Sequence, residues 1–175
     1  VVSILTGTGY VTTNYSDWGS FPLIFFLILM FIGGCAGSTA CGIKIFRIQL
    51  LYHFLVNQLK KIIYPRGVFI IKYDNNNLDD KFMSSIISFI YLYITIFFII
   101  TALLSLSGLD FITSISAAAT SISNVGPGLG NIIGPNGNFS LLPDVSKWIL
   151  SIAMILGRLE LFAILVLFLP SFWRN

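Results

Sequence analysis

Apolar residues run along this chain in three long stretches, Gly19–Ile43, Phe82–Leu109 and Trp148–Pro170, separated by polar, glycine-rich or basic segments. A helix that crosses the hydrocarbon core of a membrane needs about 20 mostly apolar residues. The second and third stretches are long enough for ordinary spans, although the third contains Arg158 and Glu160. The first is interrupted. Only Phe21–Ile32 is strongly apolar, and Gly33-Gly34-Cys35-Ala36-Gly37-Ser38-Thr39-Ala40-Cys41-Gly42 follows it. A helix of that length reaches roughly 18 Å, little more than half of a hydrocarbon layer roughly 30 Å thick. The pattern predicts an all-α membrane protein with one broken span.

After the first stretch the period changes. Ile45, Ile48, Leu51, Leu55, Leu59 and Ile62 recur at helical spacing opposite Arg47, Asn57 and Lys61. This predicts an amphipathic helix lying on the membrane surface or on a partner. Tyr64-Pro65 ends it, and Val68–Tyr73 with Asp74-Asn75-Asn76-Asn77 reads as a short hairpin or turn.

The segment 108–147 is too long and too apolar for a simple loop. Asp110 is placed to cap a helix over Phe111–Ser123, too short to span. Asn124-Val125-Gly126-Pro127-Gly128-Leu129-Gly130 ends that helix, because glycine and proline do not continue it. Such a unit is either an extracellular loop with a surface helix or a segment that re-enters the membrane. Non-helical backbone at membrane depth persists only where it lines water or is buried in protein. In the re-entrant case the negative C-terminal end of the helix attracts cations, and glycine-loop carbonyls replace an ion's hydration shell.

An internal repeat favours the re-entrant case. Thr6-Gly7-Thr8-Gly9-Tyr10 is followed by a polar segment, Trp18 and Leu29-Met30-Phe31-Ile32-Gly33. Asn124-Val125-Gly126-Pro127-Gly128 is followed by a polar segment, Trp148 and Ala153-Met154-Ile155-Leu156-Gly157. Both copies run glycine turn, linker, Trp, apolar helix and Met-X-X-Gly. Thr6–Tyr10 also approximates the Thr-Val-Gly-Tyr-Gly filter of potassium channels.

Composition and charge fit this picture. Residues are 56% hydrophobic and 10% charged, against about 25% charged in soluble domains. Lys44, Arg47, Lys60, Lys61, Arg66, Lys72 and Lys81 outnumber Asp74, Asp79 and Asp80 in the segment between the first two stretches. Asp17, Asp110 and Asp144 lie on the other side with Lys147 as the single base. The positive-inside rule then places residues 44–81 in the cytoplasm. The net charge of +3 is explained by this topology and gives no reason to expect nucleic acid. Cys35 and Cys41 have no nearby Cys/His cluster and read as reduced thiols, not a metal site. Val1 opens in the middle of a pattern, with neither an initiator Met nor a signal peptide, as in a chain lacking its front part.

Phe31-Ile32-Gly33-Gly34-Cys35-Ala36-Gly37-Ser38-Thr39 and Gly42-Ile43-Lys44 closely resemble the signature of the Trk/Ktr family of potassium-uptake channel subunits. Asn124–Gly130 is similar to that family's last filter loop. Lys147-Trp148 through Gly157-Arg158-Leu159-Glu160, ending in Pro170-Ser171-Phe172-Trp173-Arg174, is similar to its last helix and terminus. The resemblance implies four span–pore helix–filter–span units around one pore. Residues 1–44 would end the third and 82–175 form the fourth, with span 82–107, pore helix 111–123, filter 124–130 and span 147–170. Residues 45–81 would be the cytoplasmic helix and turn.

It further implies potassium at filter residues Thr8, Gly9 and Tyr10 and at Asn124, Val125, Gly126, Pro127 and Gly128, with Gly9 and Gly126 as the filter glycines. Gly33, Gly34, Cys35, Ala36, Gly37, Ser38, Thr39 and Gly42 would form an intramembrane gate, and Arg158 a basic barrier facing the pore. Ala40-Cys41 stands where the family often has a glycine run, and Gly7 where it often has Thr. By the same resemblance the subunit is a homodimer in the bacterial inner membrane. It is controlled by a separate cytosolic nucleotide-binding subunit of the TrkA type docking on residues 44–81, and it carries no cofactor of its own.

Competing functions are a sodium- or proton-coupled symporter and a non-conducting assembly subunit, though the latter leaves two glycine loops unexplained. An intramembrane serine protease is excluded as a working idea. Its candidate nucleophile Ser38 and the lone His53 are separated by Lys44 and Arg47, so no base reaches the hydroxyl.

Overall fold

The computed structural model describes residues 1–38, 40–67, 72–73, 76–77, 80–159, 166–167 and 172–174. Among the described residues its regular structure is helical apart from a two-residue antiparallel pairing of Lys72–Tyr73 with Asn76–Asn77, where a hairpin or turn is expected, and a single parallel bridge between Ile32 and Ile43. The helices are α1 (Val2–Leu5), α2 (Ser20–Phe31), α3 (Ile45–Ile63), α4 (Asp80–Leu106), α5 (Phe111–Ser123), α6 (Gly130–Ile133) and α7 (Asp144–Arg158). Short 3-10 turns cover Tyr15–Trp18, Phe139–Leu141 and Phe172–Arg174.

Among the described residues only the helix α4 is long and apolar enough to cross a membrane by itself. Its 27 residues extend about 40 Å at about 1.5 Å each. Thr95 and Thr101 satisfy their hydroxyls on the carbonyls of Tyr91 and Phe97, which removes the cost of a bare hydroxyl among apolar side chains. The helix stops at Ser107-Gly108, where Gly108 adopts φ +88°.

The first apolar stretch breaks as its sequence predicts. Helix α2 ends at Phe31 and Ile32 is extended. Within the third stretch α7 ends at Arg158, and of residues 160–170 only Val166–Leu167 are described, so most of the second half of that expected span, with Glu160, lies outside the described residues.

Helix α5 sits at the centre. Ala117, Ala118, Ala119 and Ile122 are fully buried beneath Phe97, Ile100 and Leu104 of α4, Phe26 and Met30 of α2, and Leu150 and Ala153 of α7. Small residues on α5 let these helices approach closely, as membrane helices do in the absence of a hydrophobic drive between them. Asp110 marks the start of α5 as predicted, yet its side chain makes no cap. Its carbonyl accepts the Ser114 N–H at 2.8 Å instead.

A second, smaller core joins α3 to α4. Phe46, Leu50 and Phe54 of α3 pack on Met83, Ile86 and Ile90 of α4. Of the predicted apolar face, Ile45, Ile48, Leu55, Leu59 and Ile62 are exposed. Helix α3 is apolar on two sides, and the aromatic side, being bulkier, fills the groove against α4.

Candidate functional site

Two glycine loops 117 residues apart meet above the end of α5. Gly9 and Gly126 lie backbone to backbone, at φ +73° and +112°. A Cβ on Gly9 would fall 2.6 Å from the Val125 carbonyl oxygen and 3.2 Å from Pro127 Cδ. One on Gly126 would lie 3.6 Å from Gly9 Cα. Left-handed φ and close approach both demand glycine here.

Helix α5 aims at this junction. Asn124 takes the left-handed conformation (φ 50°, ψ 42°), with Val125 N–H bonding Thr120 O at 3.0 Å and Asn124 N–H bonding Ser121 O at 3.2 Å. This paired closure ends the helix and turns the chain outward. Thr120 Oγ1 accepts the Gly126 N–H at 2.9 Å. The peptide N–H groups thus point back into the protein. The carbonyls of Gly7, Thr8, Asn124, Val125 and Gly126 accept no hydrogen bond among the described residues. Oriented carbonyls at the negative end of a helix suit a cation.

The loops are braced from behind. Asn124 Nδ2 donates to Met154 O at 3.1 Å, Ser116 Oγ to Leu129 O at 3.2 Å, and Tyr93 Oη and Ser123 Oγ are 2.8 Å apart. Tyr15 Oη donates to Gly128 O at 2.8 Å and ties the first glycine unit to the second. Burial pushes the Tyr15 phenol up to about 12, so it remains a donor throughout the physiological range. Replacing Tyr15 by Phe leaves the buried Gly128 carbonyl unpaired, at a cost of about 1–3 kcal/mol. The expected result is a lower Tm for the purified full-length subunit; an unchanged Tm would show that the bridge carries no weight.

The remaining predicted residues gather below. The loop after α2 is pinched at its neck: Gly33 N–H bonds Ile43 O and Ile43 N–H bonds Phe31 O, both at 2.9 Å, and Ile45 N–H bonds Gly34 O at 3.2 Å. A Cβ at Gly33 would touch Cys41 O, and one at Gly34 would overlap Ser38 Oγ. Beyond the neck, Cys35, Ala36 and Gly37 are exposed, and Thr39 lies outside the described residues. Arg158 comes across from α7, its Nη1 3.6 Å from Cys41 Sγ. With Ser38, Lys44, Arg47 and Tyr93 these two residues line a cavity of about 150 Å³.

Thr8 Oγ1 is 3.1 Å from Thr6 Oγ1, and Tyr10 is 86% exposed, so neither side chain joins the glycine junction. Ser38 Oγ donates to Cys35 O at 2.9 Å, whereas His53 is exposed on α3. Among the described residues no group of three or more His, Cys, Asp or Glu is placed to hold a metal. Sequence reasoning missed Tyr15, Thr120 and Gly157. Thr120 left a signal, a hydroxyl in the last turn before the loop, and Gly157 left another, as the glycine of the second Met-X-X-Gly.

The model of a family described as "TrkH: Cation transport protein" matches residues 1–175. The chain belongs to the TrkH family. Similar proteins include the Trk system potassium uptake protein TrkI of Halomonas elongata, 47% identical over 180 residues that cover 100% of this chain and 36% of the relative. The Trk system potassium uptake protein TrkH of Escherichia coli (strain K12) is 37% identical over 175 residues, again 100% and 36%. The crystal structure of the potassium transporter TrkH from Vibrio parahaemolyticus matches with a TM-score of 0.90 and 38% identity, covering 99% of this chain and 36% of that one. The chain thus spans about a third of the length of these TrkH-family relatives. The fold is all-α, the protein is membrane-embedded, and the family is one of transporters, not enzymes.

Proposed function

We propose that this chain supplies two of the filter units of a potassium-uptake pore in the bacterial inner membrane, with residues 44–81 in the cytoplasm. Potassium passes along the carbonyls around Gly9 and Gly126, contributed by Thr8–Tyr10 and Asn124–Gly128. Residues 1–44 and 82–175 act as successive pore units joined by the cytoplasmic segment 45–81. Gly33–Gly42 is the gate beneath the filter, and Arg158 is a positive barrier beside it. The subunit works as a homodimer under a cytosolic nucleotide-binding partner seated on residues 44–81.

The observation that carries this reading is the backbone contact of Gly9 with Gly126 at the end of α5, with carbonyls on both loops that accept no hydrogen bond among the described residues. The relatives' names as potassium uptake proteins support the choice of ion. Arg158 supports the barrier, since a charge placed in a membrane helix costs about 2.5–3.5 kcal/mol on insertion scales and is retained for a reason.

The test is potassium uptake by a potassium-transport-deficient bacterium expressing a full-length subunit that contains these residues. Growth in low potassium is expected from the wild type, and a several-fold greater flux from Arg158→Ala. Absence of rescue sinks the uptake reading, and an unaltered flux in a folded Arg158→Ala variant removes the barrier.

A further inference from the structure

Lys44 stands where a helix least favours it. It is the residue preceding α3, at φ −61° and ψ 141°, where Ser, Thr, Asp or Asn normally cap the first turn. Its side chain makes no cap, the first turn holds no acid, and Arg47 adds a second positive charge there. Cations at a helix N-terminus oppose the macrodipole. Violations of local preference of this kind concentrate where function demands them.

Both cations are turned onto neighbours. The Arg47 guanidinium lies over the Phe89 ring of α4, 3.8 Å from its centroid. Lys44 Nζ reaches back over the loop and donates to Ala36 O at 2.9 Å. Arg47 thus adds to the packing of Phe46, Leu50 and Phe54 on α4, while Lys44, just ahead of the helix, hooks its start to the tip of the 33–42 loop. The loop neck itself is backbone-bonded through Gly33, Gly34 and Ile43. Lys44, the residue that leads into α3, thus holds the loop's far end, eight residues back along the chain.

We propose that Lys44 is a positioning residue that couples the orientation of the cytoplasmic helix α3 to the gating loop, holding the loop closed through Ala36 O. The inference rests on the gate assigned above. Tilting α3 about the Arg47–Phe89 contact would draw Nζ off the carbonyl and free the loop tip, while the neck stays bonded. A force applied to the exposed apolar side of α3 would in this way reach the ion path without touching it.

The test uses the full-length subunit in liposomes, with Lys44→Met and Lys44→Arg compared. One readout is basal potassium flux. The other is the rate at which a membrane-impermeant maleimide labels Cys41 in a background without other cysteines. A lost charge-assisted hydrogen bond is expected to raise both by on the order of tenfold in Lys44→Met, and Lys44→Arg is expected to restore them. Should Lys44→Met fail to reach the membrane, Lys44→Gln is read in the same two assays. Unchanged flux and labelling, in a protein whose flux does rise when residues 35–40 are deleted, overturn the coupling alone. Flux indifferent to that deletion overturns the gate, and the coupling with it.

Discussion

Gly126→Ser is expected to abolish selective potassium uptake by the full-length subunit while leaving its membrane insertion intact. At φ +112° an L-residue is strained, by about 1–3 kcal/mol for such backbone conformations, and its Cβ would point at Gly9 Cα. The loop is expected to relieve that strain by rotating the peptide, which reorients the neighbouring carbonyls. Selectivity is sensitive to such a rotation because it depends on the number and placement of the coordinating oxygens. Two measurements check it: growth at low potassium, and the ratio of potassium to sodium flux in liposomes. A variant that grows normally with an unchanged ratio would move the ion path away from these glycines.

Gly157→Ala is expected to be strongly destabilising. A Cβ there would sit inside the Ile122 carbonyl, against backbone that has no rotamer with which to yield. Helix α7 can accept the methyl only by backing away from α5. Overpacking of this kind costs typically about 1–3 kcal/mol. Retreat of α7 also pulls Asn124 Nδ2 from Met154 O and Arg158 from Cys41 Sγ. The full-length variant is therefore expected to show both a lower Tm in detergent and a raised basal flux. A Tm and flux equal to wild type would show that the crossing has slack not visible in its geometry.

Much of this was legible in the residues themselves. The bounds of α5 and the break after Phe31 follow from composition and period, which are local signals. What stayed hidden depends on contacts between distant segments. Phe46, Leu50 and Phe54 repeat at helical spacing as surely as Ile45, Ile48 and Leu55 do. Only the presence of α4 decides which face is buried. Asp110 has the chemistry and the position of a cap, but its side chain leaves the first turn to its own carbonyl. Tyr15 and Gly128 are 113 residues apart, and nothing near either announces the other. Gly157 was visible as half of a repeated Met-X-X-Gly. Its role as the point where two helix backbones touch was not, because a glycine's importance lies in what surrounds the missing Cβ.

The seating of Gly9 against Gly126 also sets a timetable for biogenesis. A ribosome adding about 5–20 residues per second needs on the order of ten seconds to travel from the first glycine loop to the second. Throughout that interval the Gly9 loop lacks the wall formed by Val125 and Pro127, and the Tyr15 phenol lacks its acceptor. The earlier unit must wait in the translocon or the bilayer as an incomplete half, its polar backbone met by water or by a chaperone. The later unit acts as the keystone, so defects in α5 or its loop are felt as failed maturation of residues made well before them.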